Sequence, residues 1–317
     1  MRVGLLFPAL DIGSDFGGIR DYIQTAESLG FSHILVPDHV AGAGRATRPD
    51  WTGPYDYSNP FHEPFTLFGF IAGVTRTLEM ASGVLILPQR QTVLVAKQAA
   101  QIDVMSNGRL RLGVGIGWNQ VEYDCLGKNF HDRGKRLEEQ IHLLRELWGK
   151  DVVTFNGQYE QVVDAGINPL PLKRKIPLWI GAEARPALQR AARMADGWFP
   201  MFAPGERGAV KIERMKEYLR DAKRGIADHG PQFGMEPFVH AGRGFSANVP
   251  APEKDAQFRS NNPGPQEWAR EAEWWKAHGA THISLNAMNA GLHGARAHID
   301  CITRFAAAMA MKQAAAS

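Results

Sequence analysis

An aspartate–histidine pair, Asp38-His39, directly follows a short apolar run, HILVP, that is typical of a buried strand. A histidine titrates near neutral pH and a neighbouring carboxylate can tune it, so such a pair could act as a general acid or base. The same histidine could instead only hydrogen-bond a loop. The pair therefore predicts proton-transfer chemistry if its strand ends on a catalytic face.

A glycine-rich run, Gly113 to Trp118, ends a second apolar segment. Glycines let a ligand approach the backbone closely and leave N–H groups free for an anion. The spacing is GxGxG, no helix is predicted for about fifteen residues after it, and no Gly-Lys-Ser/Thr follows, which excludes a Rossmann motif and a P-loop. The run predicts a ligand-binding backbone in which Trp118 walls a planar ring. Tight packing inside a barrel is the alternative.

Two more strand ends carry glycine. Gly83 lies inside the apolar run GVLILP, where glycine indicates a bulge or the close approach of a ligand, and Arg90 beyond it could meet an anion or lie on the surface. Gly181-Ala182 precedes a predicted helix, whose first N–H groups could bind an anion or simply be capped.

No metal site is predicted. Two histidine pairs have metal-like spacing, His278 with His282 and His293 with His298. The first pair straddles Gly279 and a strand start, so it cannot lie on one helix face. A GxSxG nucleophile motif is also absent from the sequence.

The elements that would position these residues alternate regularly along the chain. Eight apolar runs, each followed by a helical pattern, predict a single-domain α/β protein of the (β/α)8 TIM-barrel class with lid insertions at about 41–62 and 249–265. A doubly wound open sheet is the alternative. In a barrel, the loops after the strands carry the catalytic groups, so all the glycine and histidine candidates would share one face.

Composition narrows the function classes. The chain has 317 residues, a net charge of +3, 44% hydrophobic and 22% charged residues, with the two signs interleaved, which argues against disorder and against a nucleic-acid-binding stripe. Its two cysteines, Cys125 and Cys301, lie far apart, which favours a reducing compartment. The start of the chain is typical of a strand rather than a signal peptide, and no apolar run reaches the ~20 residues of a membrane span, so we expect a cytoplasmic protein.

Together these segments resemble the luciferase-like monooxygenase superfamily. The core of the likeness is LPQRQTVLVAKQAAQIDVMSNGRLRLGVGIGWNQVEYDCLG, followed by RGKRLEEQIHLLRELW. AESLGFSHILVPDHV near the start and IPLWIGA with ALQRAARMADGWFP further on also match. The resemblance is strong over about residues 1–200 and implies an oxidoreductase that uses FMN or coenzyme F420 on a small organic substrate.

The resemblance also implies roles for particular residues. It implies a non-prolyl cis peptide bond at Gly83-Val84, against which the ring of the cofactor would lie, and places Asp38 and His39 beside the reactive edge of that ring. The residues that it implies as cofactor-binding are Gly83, Val84, Val114, Gly115, Ile116, Gly117, Trp118, Gly181 and Ala182. The aromatic residues Trp51 and Tyr55, with Tyr57 and Phe61, are candidates for contact with the substrate, or for packing of the first lid.

One residue departs from the family pattern. Ile116 stands where deazaflavin-dependent sugar-phosphate dehydrogenases of this superfamily have a proton-donating glutamate, so His39 is expected to act as a lone base. Relatives are often homodimers, and an FMN-dependent enzyme would need a separate reductase. A non-catalytic flavin-binding protein and an unrelated barrel hydrolase are the alternative functions.

Overall fold

The computed structural model describes residues 1–222, 233–241 and 264–311. Within these ranges the strands are, in chain order, β1 (Arg2–Leu6), β2 (His33–Val36), β3 (Glu79–Ser82), β4 (Leu85–Ile86), β5 (Leu110–Gly115), β6 (Val153–Asn156), β7 (Gln161–Ala165), β8 (Leu178–Gly181), β9 (Gly197–Phe199), β10 (Gly234–Met235), β11 (Phe238–His240) and β12 (His282–Asn286). All except β6 and β7 belong to one parallel sheet. β6 and β7 form a small antiparallel hairpin.

The parallel sheet closes into a barrel of eight strand positions. β3 and β4 share the third position, and β10 and β11 share the seventh. Residues 234–240 hydrogen-bond to β9 on one side, where Gly234 pairs with Gly197, and to β12 on the other, where Phe238 pairs with Ser284. The predicted (β/α)8 barrel is therefore confirmed, because an open doubly wound sheet would leave two unpaired edges.

Helices surround the barrel. They are α1 (Ala9–Ile12), α2 (Phe16–Ser28), α3 (Pro64–Val74), α4 (Thr92–Met105), α5 (Gln120–Cys125), α6 (Arg133–Gly149), α7 (Arg185–Met194), α8 (Glu206–Asp221), α9 (Pro265–Ala277) and α10 (Gly294–Ala308). Caps that the sequence encodes fix their starts: the Asp15 carboxylate accepts a hydrogen bond from Gly18 N (3.0 Å), and Glu63 accepts one from Thr66 N (2.8 Å). None of the helices in the described ranges is long and apolar enough to cross a membrane.

One predicted element boundary is wrong. The sequence pattern predicted no helix for about fifteen residues after Gly117, but α5 begins at Gln120. Asn119 starts it by accepting a hydrogen bond from Val121 N (3.1 Å). A helix of six residues is too short to show the 3.6-residue periodicity on which the prediction relied.

The first predicted insertion, 41–62, is irregular apart from one 3₁₀ turn at Arg45–Thr47. Most of the second predicted insertion, residues 249–263, lies outside the described residues, and Pro265 already begins α9.

Side chains fill the barrel interior in layers. Charged and polar groups occupy the floor, near the strand N-termini: Glu236 accepts hydrogen bonds from Arg111 (2.6 Å) and Ser284 (2.6 Å) and lies 2.6 Å from His33 Nε2. The next layer is apolar, made of Leu6, Leu35, Ala81, Trp179, Phe199 and Met288. These two layers fill the lower part of the barrel, so a ligand can enter only from the strand C-termini, here called the mouth.

Candidate functional site

The mouth is lined by short exposed stretches of otherwise buried strands. Gly83 and Val84 are partly exposed between buried Ser82 and Leu85, and Ile116, Gly117 and Gly181 are partly exposed after fully buried strand segments. Trp118, next along the chain, is exposed. Six of the nine residues implied for cofactor binding therefore form accessible surface at this face.

The other three implied cofactor residues lie below that surface. Val114 is 0% exposed and packs into the core between barrel and helices, and Gly115 is buried. Ala182 is 4% exposed, and its carbonyl accepts a hydrogen bond from Trp198 Nε1 (2.8 Å). These residues support the mouth rather than present side chains to it.

The peptide bond Gly83-Val84 is cis, as the resemblance implied. The Val84 side chain lies between two glycines of neighbouring strands: a Cβ at Gly115 would be 2.7 Å from Val84 Cγ2, and one at Gly181 would be 3.1 Å from Val84 Cγ1. These two glycines therefore make room for Val84, and Val84 in turn shapes the partly exposed surface.

His39 has a neighbouring carboxylate that the sequence interpretation missed. Its Nδ1 lies 3.1 Å from Oε1 of Glu122, a carboxylate that is 1% exposed. The same oxygen accepts hydrogen bonds from the backbone N–H groups of Val40 (3.0 Å) and Ala41 (3.4 Å). Gln89 Nε2 donates to the other oxygen (3.3 Å), so three donors and the His39 imidazole surround this buried acid.

Asp38 points to a different partner. Its carboxylate accepts hydrogen bonds from Arg90 (2.8 Å) and from the backbone N–H of Ile86 (2.9 Å) and is 1% exposed. Arg90 also donates to Glu63 (3.0 Å). Burial alone would lower the pKa of Arg90, but the charges of Asp38 and Glu63 outweigh it and raise that pKa. Asp38 and Arg90 therefore form a buried ion pair that ties β2 to the segment after β4.

Aromatic rings surround the imidazole of His39. The ring centroids of Phe61, Tyr55 and Trp118 lie 4.5, 5.0 and 5.8 Å from it, and Trp51 packs on Trp118 at 5.9 Å. Burial raises the pKa of Tyr55, so its hydroxyl stays protonated at neutral pH. The first insertion thus brings the predicted substrate residues Trp51 and Tyr55 to His39.

A cavity of about 110 Å³ opens beside this aromatic wall. Its lining includes His39, Tyr55, Phe61 and Asn119. A larger surface groove of about 790 Å³ lies on the outside of the barrel, between the start of α4 and the β6–β7 hairpin, and includes none of the predicted site residues. Of these two, the smaller cavity is the one that predicted site residues line.

Within the described ranges, the buried amides of Asn286, Gln89 and Gln140 each have one unsatisfied atom. Asn286, at the C-terminal end of β12, is 1% exposed, and its Nδ2 has no hydrogen-bond partner among the described residues. It follows Ser284 by two positions, so it points to the same inner side of the barrel. Gln89 Oε1, beside Glu122, is also unsatisfied. The carbonyl groups of a flavin-type ring would offer the acceptor that Asn286 Nδ2 lacks, so this end of β12 fits such a ring.

The residues that the sequence interpretation missed are Glu122, Gln89 and Asn286. Glu122 and Gln89 lie in the segments that carry the family resemblance, but neither stands at a strand end. Asn286 does stand at a strand end, that of β12. Across residues 1–222, 233–241 and 264–311, no three His, Cys, Asp or Glu side chains converge as metal ligands would. His278 instead stacks on Trp274, with ring centroids 3.9 Å apart.

Comparisons with known proteins agree with this architecture. The family model "luciferase-like monooxygenase" matches residues 1–251. An FMNH2-dependent dimethylsulfone monooxygenase of Pseudomonas fluorescens is 30% identical over 73% of this chain and 58% of its own length. A monooxygenase structure from Streptomyces bottropensis superposes with a TM-score of 0.77 at 18% identity and covers 98% of this chain and 99% of that one.

A structure of an F420-dependent secondary alcohol dehydrogenase, in complex with an F420–acetone adduct, also superposes. Its TM-score is 0.75 at 18% identity, over 97% of this chain and 98% of that one. At this level of identity the two solved structures establish the shared fold only.

Proposed function

Because the chain belongs to the luciferase-like monooxygenase family, we propose that it is an oxidoreductase that binds reduced FMN or reduced coenzyme F420 at the barrel mouth and acts on a small, partly apolar organic substrate. The observation that carries the proposal is the partly exposed surface of Gly83, Val84 and Gly117 at the strand ends, on the same face as His39 and its aromatic wall. The 30% identity to an FMNH2-dependent enzyme makes FMN the first cofactor to test.

The residues that would hold the ring are those exposed at the mouth. Gly83 and Val84 would lie against one face of it, and Ile116 and Gly117 would flank the ribityl chain. The unsatisfied Nδ2 of Asn286 would donate a hydrogen bond to the ring. Gly181 would lie near the phosphate end, close to the start of α7. The bound cofactor would supply hydride transfer if it is F420, or oxygen activation if it is FMN.

The protein's own groups would do the rest. His39 would accept or donate the proton that the substrate exchanges during the reaction. The Asp38–Arg90 ion pair would hold the end of β2 against the residues after β4, and so fix the position of His39 relative to the cis peptide. Trp51, Tyr55 and their neighbours would contact the substrate and exclude water from it.

The proposal is tested by supplying each reduced cofactor to the purified protein, with and without oxygen, and measuring binding and substrate-dependent oxidation of the cofactor. Oxygen-dependent consumption of FMNH2, delivered by a separate reductase, would identify a monooxygenase. Oxygen-independent oxidation of reduced F420 would identify a hydride-transfer enzyme.

Three other outcomes would contradict the proposal. Binding of neither cofactor would refute it. Tight binding without turnover, unaffected by His39→Ala, would indicate a non-catalytic flavin-binding protein. Substrate hydrolysis without any redox cofactor would indicate a barrel hydrolase. Sedimentation of the same preparation tests the expected homodimer.

A further inference from the structure

We propose that Glu122 is a positioning residue that holds the neutral imidazole of His39 in one tautomer, with the proton on Nδ1, so that Nε2 is the nitrogen that exchanges a proton with the substrate. This inference rests on the proposed function, because His39 is the proton-transfer group of that function. Glu122 itself touches neither the mouth nor the 110 Å³ cavity and would act only through the imidazole.

The surroundings of Glu122 determine which way the hydrogen bond runs. An ionised carboxylate can only accept hydrogen bonds, and every neighbour of this one for which the direction is fixed is a donor. These donors are the N–H groups of Val40 and Ala41 and the amide of Gln89. At 3.1 Å from Oε1, an Nδ1 without a proton would place two lone pairs against each other.

The consequence for the other ring nitrogen follows from the chemistry of imidazole. A neutral imidazole carries one proton, so a proton on Nδ1 leaves Nε2 as an acceptor. Among the described residues, no group hydrogen-bonds to His39 Nε2. The imidazole belongs to the lining of the cavity beside Tyr55 and Phe61, where a substrate would meet it. The carboxylate that orients the catalytic histidine of serine proteases works by the same logic.

The start of α5 explains how Glu122 comes to lie beside His39. Asn119 caps α5, which places Glu122 in the first turn of that helix. The Asn119 side chain also donates to the Ala41 carbonyl (3.4 Å), which holds the chain after His39 against the same turn. The carboxylate and the imidazole are thus positioned by one short helix start.

The first test needs no cofactor. Nitrogen-15 NMR of the labelled protein reports which imidazole nitrogen carries the proton, and the His39→Gln spectrum assigns the signal. The proposal expects the Nδ1–H tautomer in the wild type and its loss in Glu122→Ala. Glu122→Gln should retain it, because the amide oxygen can still accept from Nδ1 while Gln89 turns its unsatisfied oxygen toward the new NH2 group. The Nε2–H tautomer in the wild type would overturn the proposal.

The second test is kinetic and separates positioning from a merely structural role. Glu122→Ala should lower kcat by about 100-fold, the usual cost of a misplaced catalytic group, and Glu122→Gln should lower it less. In the His39→Ala background, Glu122→Ala should add less than about 2-fold, because groups that act as a unit are not additive. Asp124→Asn removes an exposed carboxylate from the same helix and should leave kcat unchanged.

An equal loss of kcat in both backgrounds would refute action through His39. If neither the wild type nor any variant oxidises a reduced cofactor, the proposed function is refuted. The NMR measurement still shows which nitrogen of His39 carries the proton, so the two failures can be distinguished. Circular dichroism of each variant identifies loss of fold, and Glu122→Gln keeps the test valid if Glu122→Ala unfolds.

Discussion

Removing Arg111 from the barrel floor should destabilise the protein strongly. Arg111 is 3% exposed and donates to Glu236 (2.6 Å) and Glu79 (2.9 Å), and its guanidinium stacks on Trp179 at 4.2 Å. Burial alone would raise the pKa of Glu236, but Arg111 and His33 together outweigh it and hold that pKa below its usual range. Glu236 is therefore a buried anion that depends on its partners.

Arg111→Met keeps similar bulk but leaves this anion without its strongest partner. Breaking a buried pair by removing one member typically costs about 3–5 kcal/mol, so the free energy of unfolding should fall by that amount. Urea unfolding at pH 7, followed by circular dichroism, measures it. Arg20→Met is the control, because the Arg20–Asp21 pair is 48% and 55% exposed and should contribute no more than about 1 kcal/mol.

A second substitution checks the cause. Glu236→Gln in the Arg111→Met background removes the unpaired charge and should recover part of the lost stability. Because the pKa of Glu236 is depressed in the folded state, the stability that its charge contributes is present above its usual value of 4.5 and is lost as the pH falls through the folded value. A loss below about 1 kcal/mol, or no recovery in the double variant, would refute this account of the floor.

Three further perturbations follow from the described contacts. Gly115→Ala should lower the free energy of unfolding by about 1–3 kcal/mol and weaken cofactor binding, because its Cβ would lie 2.7 Å from Val84. Adding Val84→Ala should restore the melting temperature. If it does not, the claim that Gly115 makes room for Val84 is wrong. Burial lowers the pKa of His298 from 6.5 to about 4, so between these pH values the unfolded chain binds this proton and the folded chain does not. The free energy of unfolding should therefore fall by up to about 3 kcal/mol as the pH drops from 6.5 to 4. In His298→Leu, the melting temperature should depend less on pH over this range. Asp38→Asn keeps an acceptor for the Ile86 N–H but removes the buried one of the two carboxylates that Arg90 pairs with, and should lower the free energy of unfolding by about 1–3 kcal/mol in urea. An unchanged midpoint would show that the Asp38–Arg90 pair is dispensable.

The barrel was predictable because its signal is local. Each strand is a short apolar run, each long helix has a buried stripe such as that of Leu137, Ile141 and Leu144 on α6, and the units repeat eight times. The mouth followed from the same rule, since parallel strands in a barrel all end on one face. The cis bond at Gly83-Val84 came only from the family resemblance.

The pairing of side chains was not predictable because it is non-local. Asp38 and His39 are neighbours in sequence, yet one pairs with Arg90, 52 residues away, and the other with Glu122, 83 residues away. Adjacent residues at a strand end point in different directions, so adjacency did not predict partnership. The glycines of β5 and β8 also had a second explanation, room for Val84, that only the neighbouring strand reveals.

The central claim is that the mouth binds a flavin-type ring, and an equilibrium titration tests it most directly. Ile116→Trp enlarges a partly exposed residue at the mouth, and Val163→Trp makes the same kind of change at a 63% exposed position on β7. Titration of the wild type with FMN and with coenzyme F420, followed by absorbance and fluorescence, should show saturable one-to-one binding of at least one of them, weakened by Ile116→Trp and unchanged by Val163→Trp. Binding of neither cofactor, or equal binding to all three proteins, would contradict the claim.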